Sequence, residues 1–138
     1  MNLVSMRVIT NDMKRLVSFY EDITGLTATW YTEDFVELAT PSCTLAIGST
    51  RTMALFGSGA ARAADNHSVI EFRVDDVDQA YASLGDAISD VVQEPKTMPW
   101  GNRSLLFRDP DGNLVNFFTP VSAEAIKKYN LLGAAAIL

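Results

Sequence analysis

The chain has a single cysteine, Cys43, and a single histidine, His67. One cysteine excludes an internal disulfide and any cysteine metal cluster, and it fits a reducing compartment, so a cytoplasmic protein is expected. Cys43 reads as a small buried hydrophobe. One histidine excludes, within one chain, any metal site built on two imidazoles. No apolar run is long enough to span a bilayer, and no basic stretch precedes an apolar one at the N-terminus. Neither a membrane partner nor a signal peptide is therefore expected. Basic residues are scarce as well: 11 Lys and Arg face 17 Asp and Glu, for a formal net charge of −6. A phosphate backbone would be repelled, so nucleic acid is a poor partner, while a cationic small ligand is mildly favoured. The chain lacks a nucleophile elbow, a P-loop and a glycine-rich dinucleotide turn.

What is present is a packed globule's worth of apolar residues, 48% of 138, enough for one domain or two small halves sharing a core. Residues 3–10 alternate, with Val4, Met6 and Val8 on one side and Ser5, Arg7 and Ile9 on the other, which predicts a strand. Asn11 or Asp12 then caps a helix whose stripe is Met13, Leu16, Val17, Tyr20 and Ile23, closed by Gly25. Residues 27–32, 35–39 and 44–47 read as three strands. Residues 48–66 break the pattern with small and polar residues around a brief apolar run, and read as a linker with a short strand at most.

The first pattern then recurs. Residues 68–74 alternate, Asp75-Asp76 caps a helix carrying Val77, Ala80, Tyr81 and Leu84, Gly85 ends it, and residues 88–93, 103–107 and 114–118 supply three strands. Asp76 lies 64 residues after Asp12, and at that offset Val8 falls on Phe72, Met13 on Val77, Leu16 on Ala80, Val17 on Tyr81 and Tyr20 on Leu84. The repeat is one of pattern rather than identity. It divides the chain into a first module at 1–50, a linker at 51–66, a second module at 67–120, and a tail at 121–138. In that tail Ser122 caps a helix over 123–129, followed by an apolar run over 131–138.

The second module closes with Phe107 and Asp109-Pro-Asp-Gly-Asn before an apolar strand. Pro110 pre-sets a turn, Asp109 can accept backbone N–H bonds, and Gly112 supplies positive φ. The strand that follows is apolar on both faces except at Asn116, which interrupts the row of Leu114 and Phe118.

A repeated strand–helix–three-strand module ending in this turn resembles the vicinal-oxygen-chelate superfamily of glyoxalases, bleomycin-resistance proteins and extradiol dioxygenases. Ser18-Phe-Tyr20, Gly25-Leu26 and Pro99-Trp-Gly101 support the resemblance. It implies an α+β fold of two βαβββ modules, a cup-shaped mixed sheet with helices outside, and a ligand held inside. Members that bind a metal place ligands on the first and last strands of each module. Those places fall here on Ser5, Val69, near Ala54, and on Asn116, where chelating relatives carry a glutamate. This set makes no metal site, and no cofactor is expected.

Independently of the family, His67 and Glu71 share strand parity but sit roughly 13 Å apart along a strand, too far to hold one ion. His67 reads as a strand-edge or loop residue; an acid–base or ligand role is the competing reading. The expected ligand-binding residues are Ser5, Arg7, Trp30, Glu71, Trp100, Asn116 and Phe118, with Trp30 and Trp100 chosen because both sit beside turns. Arg7 and Glu71 are equivalent under the offset, and they form a charge pair if the two opening strands lie side by side; meeting a ligand charge is the alternative. Glu33, Asp34 and Glu37 cluster near Trp30 as solvated turn charge or an attractor of cations.

Three functions compete. The first is a metal-independent protein that binds a small aromatic or cationic molecule. The second is a metal-dependent glyoxalase-type lyase or dioxygenase. The third is a metal-free lyase or isomerase using His67, Glu71 or Tyr31. The first is preferred, and catalytic residues are left unassigned. A homodimer is expected, because the superfamily often pairs modules and the apolar tail needs cover.

Overall fold

The computed structural model describes residues 3, 5–53 and 69–137, with residues 53 and 131–137 described by backbone alone. The expectations for Ala54 and His67 lie outside the described residues. The chain divides into two compact units, Met1–Asn66 and His67–Leu138.

In the first unit, β1 (Ser5–Thr10) leads into α1 (Met13–Thr24), followed by β2 (Thr29–Thr32), β3 (Phe35–Ala39), β4 (Thr44–Ser49) and one helical turn, α2 (Thr50–Met53). Local chemistry sets the bounds of α1. The Asp12 carboxylate accepts from the Arg15 N–H at 3.2 Å, and Gly25, at φ 72°, donates its N–H to Glu21 at 2.9 Å. The apolar stripe read from the sequence is buried in full: Met13, Leu16, Val17, Tyr20 and Ile23. The sheet order is β1-β4-β3-β2, with β1 parallel to β4 and the other pairs antiparallel. Val8, Ile47, Val36 and Trp30 form one cross-strand row, and the first three of them are buried. Arg7, Ala46, Glu37 and Thr29 form the neighbouring row on the opposite face.

The second unit repeats the plan: β5 (Val69–Arg73), α3 (Val77–Leu84), a 3₁₀ turn at Gly85–Ala87, β6 (Val91–Thr97), β7 (Asn102–Arg108), β8 (Leu114–Pro120) and α4 (Ala123–Ile137). Its sheet order is β5-β8-β7-β6, and β5 runs parallel to β8 as β1 does to β4. Asp76 caps α3 by accepting from the Gln79 N–H at 3.1 Å, the counterpart of Asp12 on α1. On the α3 side of this sheet, Phe117 meets Phe107 and Phe72 edge-on at centroid distances of 5.1 and 5.5 Å.

The Asp109–Asn113 turn is built by one carboxylate. Asp109 Oδ1 accepts from the N–H groups of Asp111 and Asn113, both at 2.9 Å, and Oδ2 accepts from Asn113 Nδ2 at 2.7 Å. Gly112 sits at φ 86°, a conformation open to glycine at little strain.

Several boundaries differ from the sequence reading; β6, for example, runs on to Thr97 and β8 to Pro120. β4 runs on through Gly48 and Ser49, because the parallel ladder to β1 continues to Thr10↔Ser49 and overrides the local breaker signal. β6 begins at Val91 rather than 88, since residues 85–87 take the 3₁₀ turn first. The helix opened by Ser122 does not stop at 129 but continues to Ile137; its alanine-rich end is good helix former, which outweighs the single Gly133.

Candidate functional site

Each sheet has one face toward its helix and one turned away. On the face of the second sheet turned away from α3, Val69, Glu71 and Arg73 of β5 lie opposite Leu114, Asn116 and Phe118 of β8. Asn116 in turn faces Leu106 on β7. Asn116 is buried, 8% exposed, although it is polar. It donates from Nδ2 to Glu71 Oε2 at 2.8 Å. Its amide oxygen is buried and meets no hydrogen-bond donor among the described residues.

α4 closes one end of this face. Arg73 donates to the Tyr129 carbonyl at 3.2 Å and to Asn130 Oδ1 at 3.1 Å, and the Tyr129 ring packs on Phe118 at 5.0 Å. Phe118 is thereby 5% exposed. The start of α4 is fixed by the β6–β7 turn: Val121 and Ser122 both donate their N–H to the Gly101 carbonyl, and Ser122 Oγ accepts from the Ala125 N–H at 3.0 Å.

On the first sheet, Ser5 and Arg7 occupy the face turned away from α1. The Arg7 guanidinium lies over the Phe35 ring, 4.8 Å from its centroid, and Tyr31 approaches the same ring at 6.0 Å. Arg7 and Glu71 thus each have a partner inside their own unit.

Trp30 is on the other face. Its ladder partner is the buried Val36, so it shares the α1 side with Val8 and Ile47 rather than the side of Ser5 and Arg7. There it lines a cleft of about 500 Å³ with Asn11, Asp12, Met13, Lys14, Glu33 and Arg51. The acidic cluster expected near Trp30 is divided, with Glu33 and Asp34 in the β2–β3 turn and Glu37 on β3. Glu33 borders the cleft, and Glu37 lies in the Arg7 row. Asp34 accepts from Arg51 Nε at 2.9 Å, and that guanidinium holds its carboxyl below the usual range. Trp100 is 64% exposed on the turn before β7.

The structure therefore brings Glu71, Asn116 and Phe118 together, places Ser5 with Arg7, and leaves Trp30 and Trp100 outside both groups. Tyr129 was not read as a site residue. The available signal was its helical spacing from the buried Ala125, which puts the two on one side of α4.

A resident divalent ion needs several converging anionic or imidazole donors. Val69 offers only carbon, Asn116 offers a single neutral and buried amide oxygen, and Ala54 lies outside the described residues. No three His, Cys, Asp or Glu side chains among the described residues form a group that could hold a metal. The residues present do not fit a metal at these positions.

Two βαβββ units, each with its opening strand parallel to its closing strand, define an α+β protein of the paired-module class. The chain belongs to the Glyoxalase/Bleomycin resistance protein/Dioxygenase superfamily, whose profile matches residues 2–117. It is 29% identical over 126 residues to the uncharacterized protein YraH of Bacillus subtilis (strain 168), covering 86% of this chain and 98% of that one. A glyoxalase/bleomycin resistance protein/dioxygenase family enzyme from Burkholderia phytofirmans PsJN superposes with a TM-score of 0.79 at 16% identity, over 88% of this chain and 100% of that one. A lactoylglutathione lyase from Agrobacterium tumefaciens does so with a TM-score of 0.66 at 20% identity, over 85% and 92%. At these identities the two structures speak for the fold. No helix among the described residues is long and apolar enough to cross a membrane.

Proposed function

We propose that this member of the superfamily is a metal-independent small-molecule-binding protein that holds an aromatic or cationic ligand on the sheet face carrying Glu71 and Asn116. The observation that carries the reading is the partnership of that pair. The neutral Asn116 amide occupies the last-strand position and donates to the carboxylate beside it. The nearest cation on the same face, Arg73, is drawn to Tyr129 and Asn130 instead. The carboxylate is left to attract a cation without an ion to hold. Leu106, Leu114 and Phe118 around it supply the apolar frame that ligand sites have.

The test has two parts. Protein purified without chelator is expected to carry far less than one equivalent of zinc, iron, nickel or manganese by elemental analysis, and its melting temperature is expected to be unchanged by EDTA. Stoichiometric metal, or a fall in melting temperature on chelation, overturns metal independence. A thermal-shift screen of flat heteroaromatic and cationic compounds is expected to give concentration-dependent stabilisation, as any ligand selective for the folded state must. A flat response across the screen overturns the binding role.

A further inference from the structure

The cleft beside α1 lies wholly in the first unit, and none of its residues belongs to the sheet face carrying Glu71 and Asn116. At about 500 Å³ it has the volume of a small-molecule pocket. Trp30 lines it. The indole ends the row of Val8, Ile47 and Val36, all three buried, yet is itself 45% exposed. A half-exposed indole offers a ligand a large apolar area, and its face also attracts a cation.

Four charged side chains line the same cleft, two of each sign: Lys14 and Arg51, Asp12 and Glu33. Two of the four are engaged within the protein. Arg51 sets Nε and Nη2 on Asp34 Oδ1, at 2.9 and 2.6 Å. Asp12 caps α1 by accepting from the Arg15 N–H at 3.2 Å, and its other oxygen lies 3.9 Å from Arg15 Nε. Lys14 and Glu33 are exposed and make no hydrogen bond or ion pair with any described residue. Glu33 acts on Arg51 only through space, behind the bonded Asp34. One cation and one anion therefore remain uncommitted beside the indole.

That combination selects among ligand charges. An anion would meet Lys14 but also face Glu33, and a cation would meet Glu33 but also face Lys14. A molecule carrying both signs gives each side chain its opposite. Both side chains are long and rotatable, so they can close on charges carried by one carbon. Pairs formed in a cleft that a ligand has filled are also less screened than pairs in open water.

We propose that this cleft is a binding site of its own, for a small zwitterion with a flat apolar group: a free aromatic amino acid. Its carboxylate goes to Lys14, its ammonium to Glu33, and its ring lies against Trp30.

The test titrates the whole protein with three probes that share a phenyl ring: L-phenylalanine, phenethylamine, which lacks the carboxylate, and 3-phenylpropionate, which lacks the ammonium. By calorimetry, phenylalanine is expected to bind at least fivefold more tightly than either analogue. Lys14→Met is expected to weaken phenylalanine at least fivefold and phenethylamine not at all. Glu33→Gln is expected to weaken phenylalanine as much and 3-phenylpropionate not at all. Both positions are exposed, so both variants are expected to melt with the wild type. The chain has two tryptophans, and in a Trp100→Phe variant the remaining Trp30 emission is expected to change saturably with phenylalanine. A single-charge analogue that binds as tightly as phenylalanine overturns the inference. So does phenylalanine binding that either charge variant leaves unweakened, or that leaves Trp30 emission unchanged, and so does no binding at millimolar phenylalanine. None of these outcomes bears on the ligand reading of the Glu71 and Asn116 face, which rests on other residues.

Discussion

Asp78 opens α3 and receives a two-pronged bond from Arg103 on β7, Nε to Oδ2 at 2.7 Å and Nη2 to Oδ1 at 3.0 Å. The hydrogen bond from Arg103 holds the Asp78 carboxyl below its ordinary value. The unfolded chain takes up that proton near pH 4, the folded chain only at lower pH, so the pair stabilises fully above about pH 5 and fades as pH falls through the depressed folded value. Melting temperatures of wild type and Asp78→Asn are expected to differ by a constant amount from about pH 6 to 8 and to converge below about pH 4. The gap should also shrink in high salt, because both side chains are partly exposed. A gap that persists unchanged into acid would mean the pair does not carry it. Single residues with turn or cap chemistry were the most legible in the sequence. Asp12, Asp76, Gly25, Gly112 and Ser122 act as their types and neighbours suggested, because capping and turn formation are local. The partners of Glu71, Arg73 and Asp78 were not legible, since each is at least 25 residues away along the chain.

At the scale of elements, α4 depends on one position in a turn. Gly101 has φ 93°, and a methyl group there would run into Ser122 Oγ, the cap of α4, with Ala125 close behind. Gly101→Ala is expected to lower stability by about 2–3 kcal/mol, from backbone strain and the displaced helix start together. Chemical denaturation would measure it, and amide exchange would report faster opening across 123–130. A neutral result would mean that α4 is not seated through this turn. Strand periodicity in the sequence assigned residues to faces correctly, including Ser5 with Arg7 and Glu71 with Arg73. Periodicity did not place Trp30. Proximity to a turn suggested a pocket with Arg7, but the β2–β3 ladder pairs Trp30 with Val36 and sends it to the α1 side. Glu33 lies in the β2–β3 turn beside the Trp30 cleft, while the ladder puts Glu37 in the Arg7 row. Cross-strand register is a property of two segments at once, so alternation within one segment does not reveal it.

For the whole molecule, the 64-residue repeat read from apolar positions corresponds to two sheets of the same strand order, each with a parallel pair joining its first and last strands. We propose that the protein is a homodimer, on the grounds of the apolar composition of residues 131–138 and the habit of the superfamily to pair modules. Light scattering on the eluted full chain is expected to give twice the 15.1 kDa chain mass. A monomer at tens of micromolar would remove that proposal and leave the proposed ligand-binding role of the second sheet unaffected.

The sequence by itself determined the two βαβββ modules, their caps, the Asp109–Asn113 turn and the lone polar position at Asn116. All of these are set by contacts within a few residues or by the period of the apolar pattern. Tertiary structure alone decided that Asn116 gives its nitrogen to Glu71, that Arg73 turns to α4, and that Tyr129 stands against Phe118. Each of these joins side chains that only folding brings within hydrogen-bond or ring-contact distance, and the charge left on Glu71 follows from them.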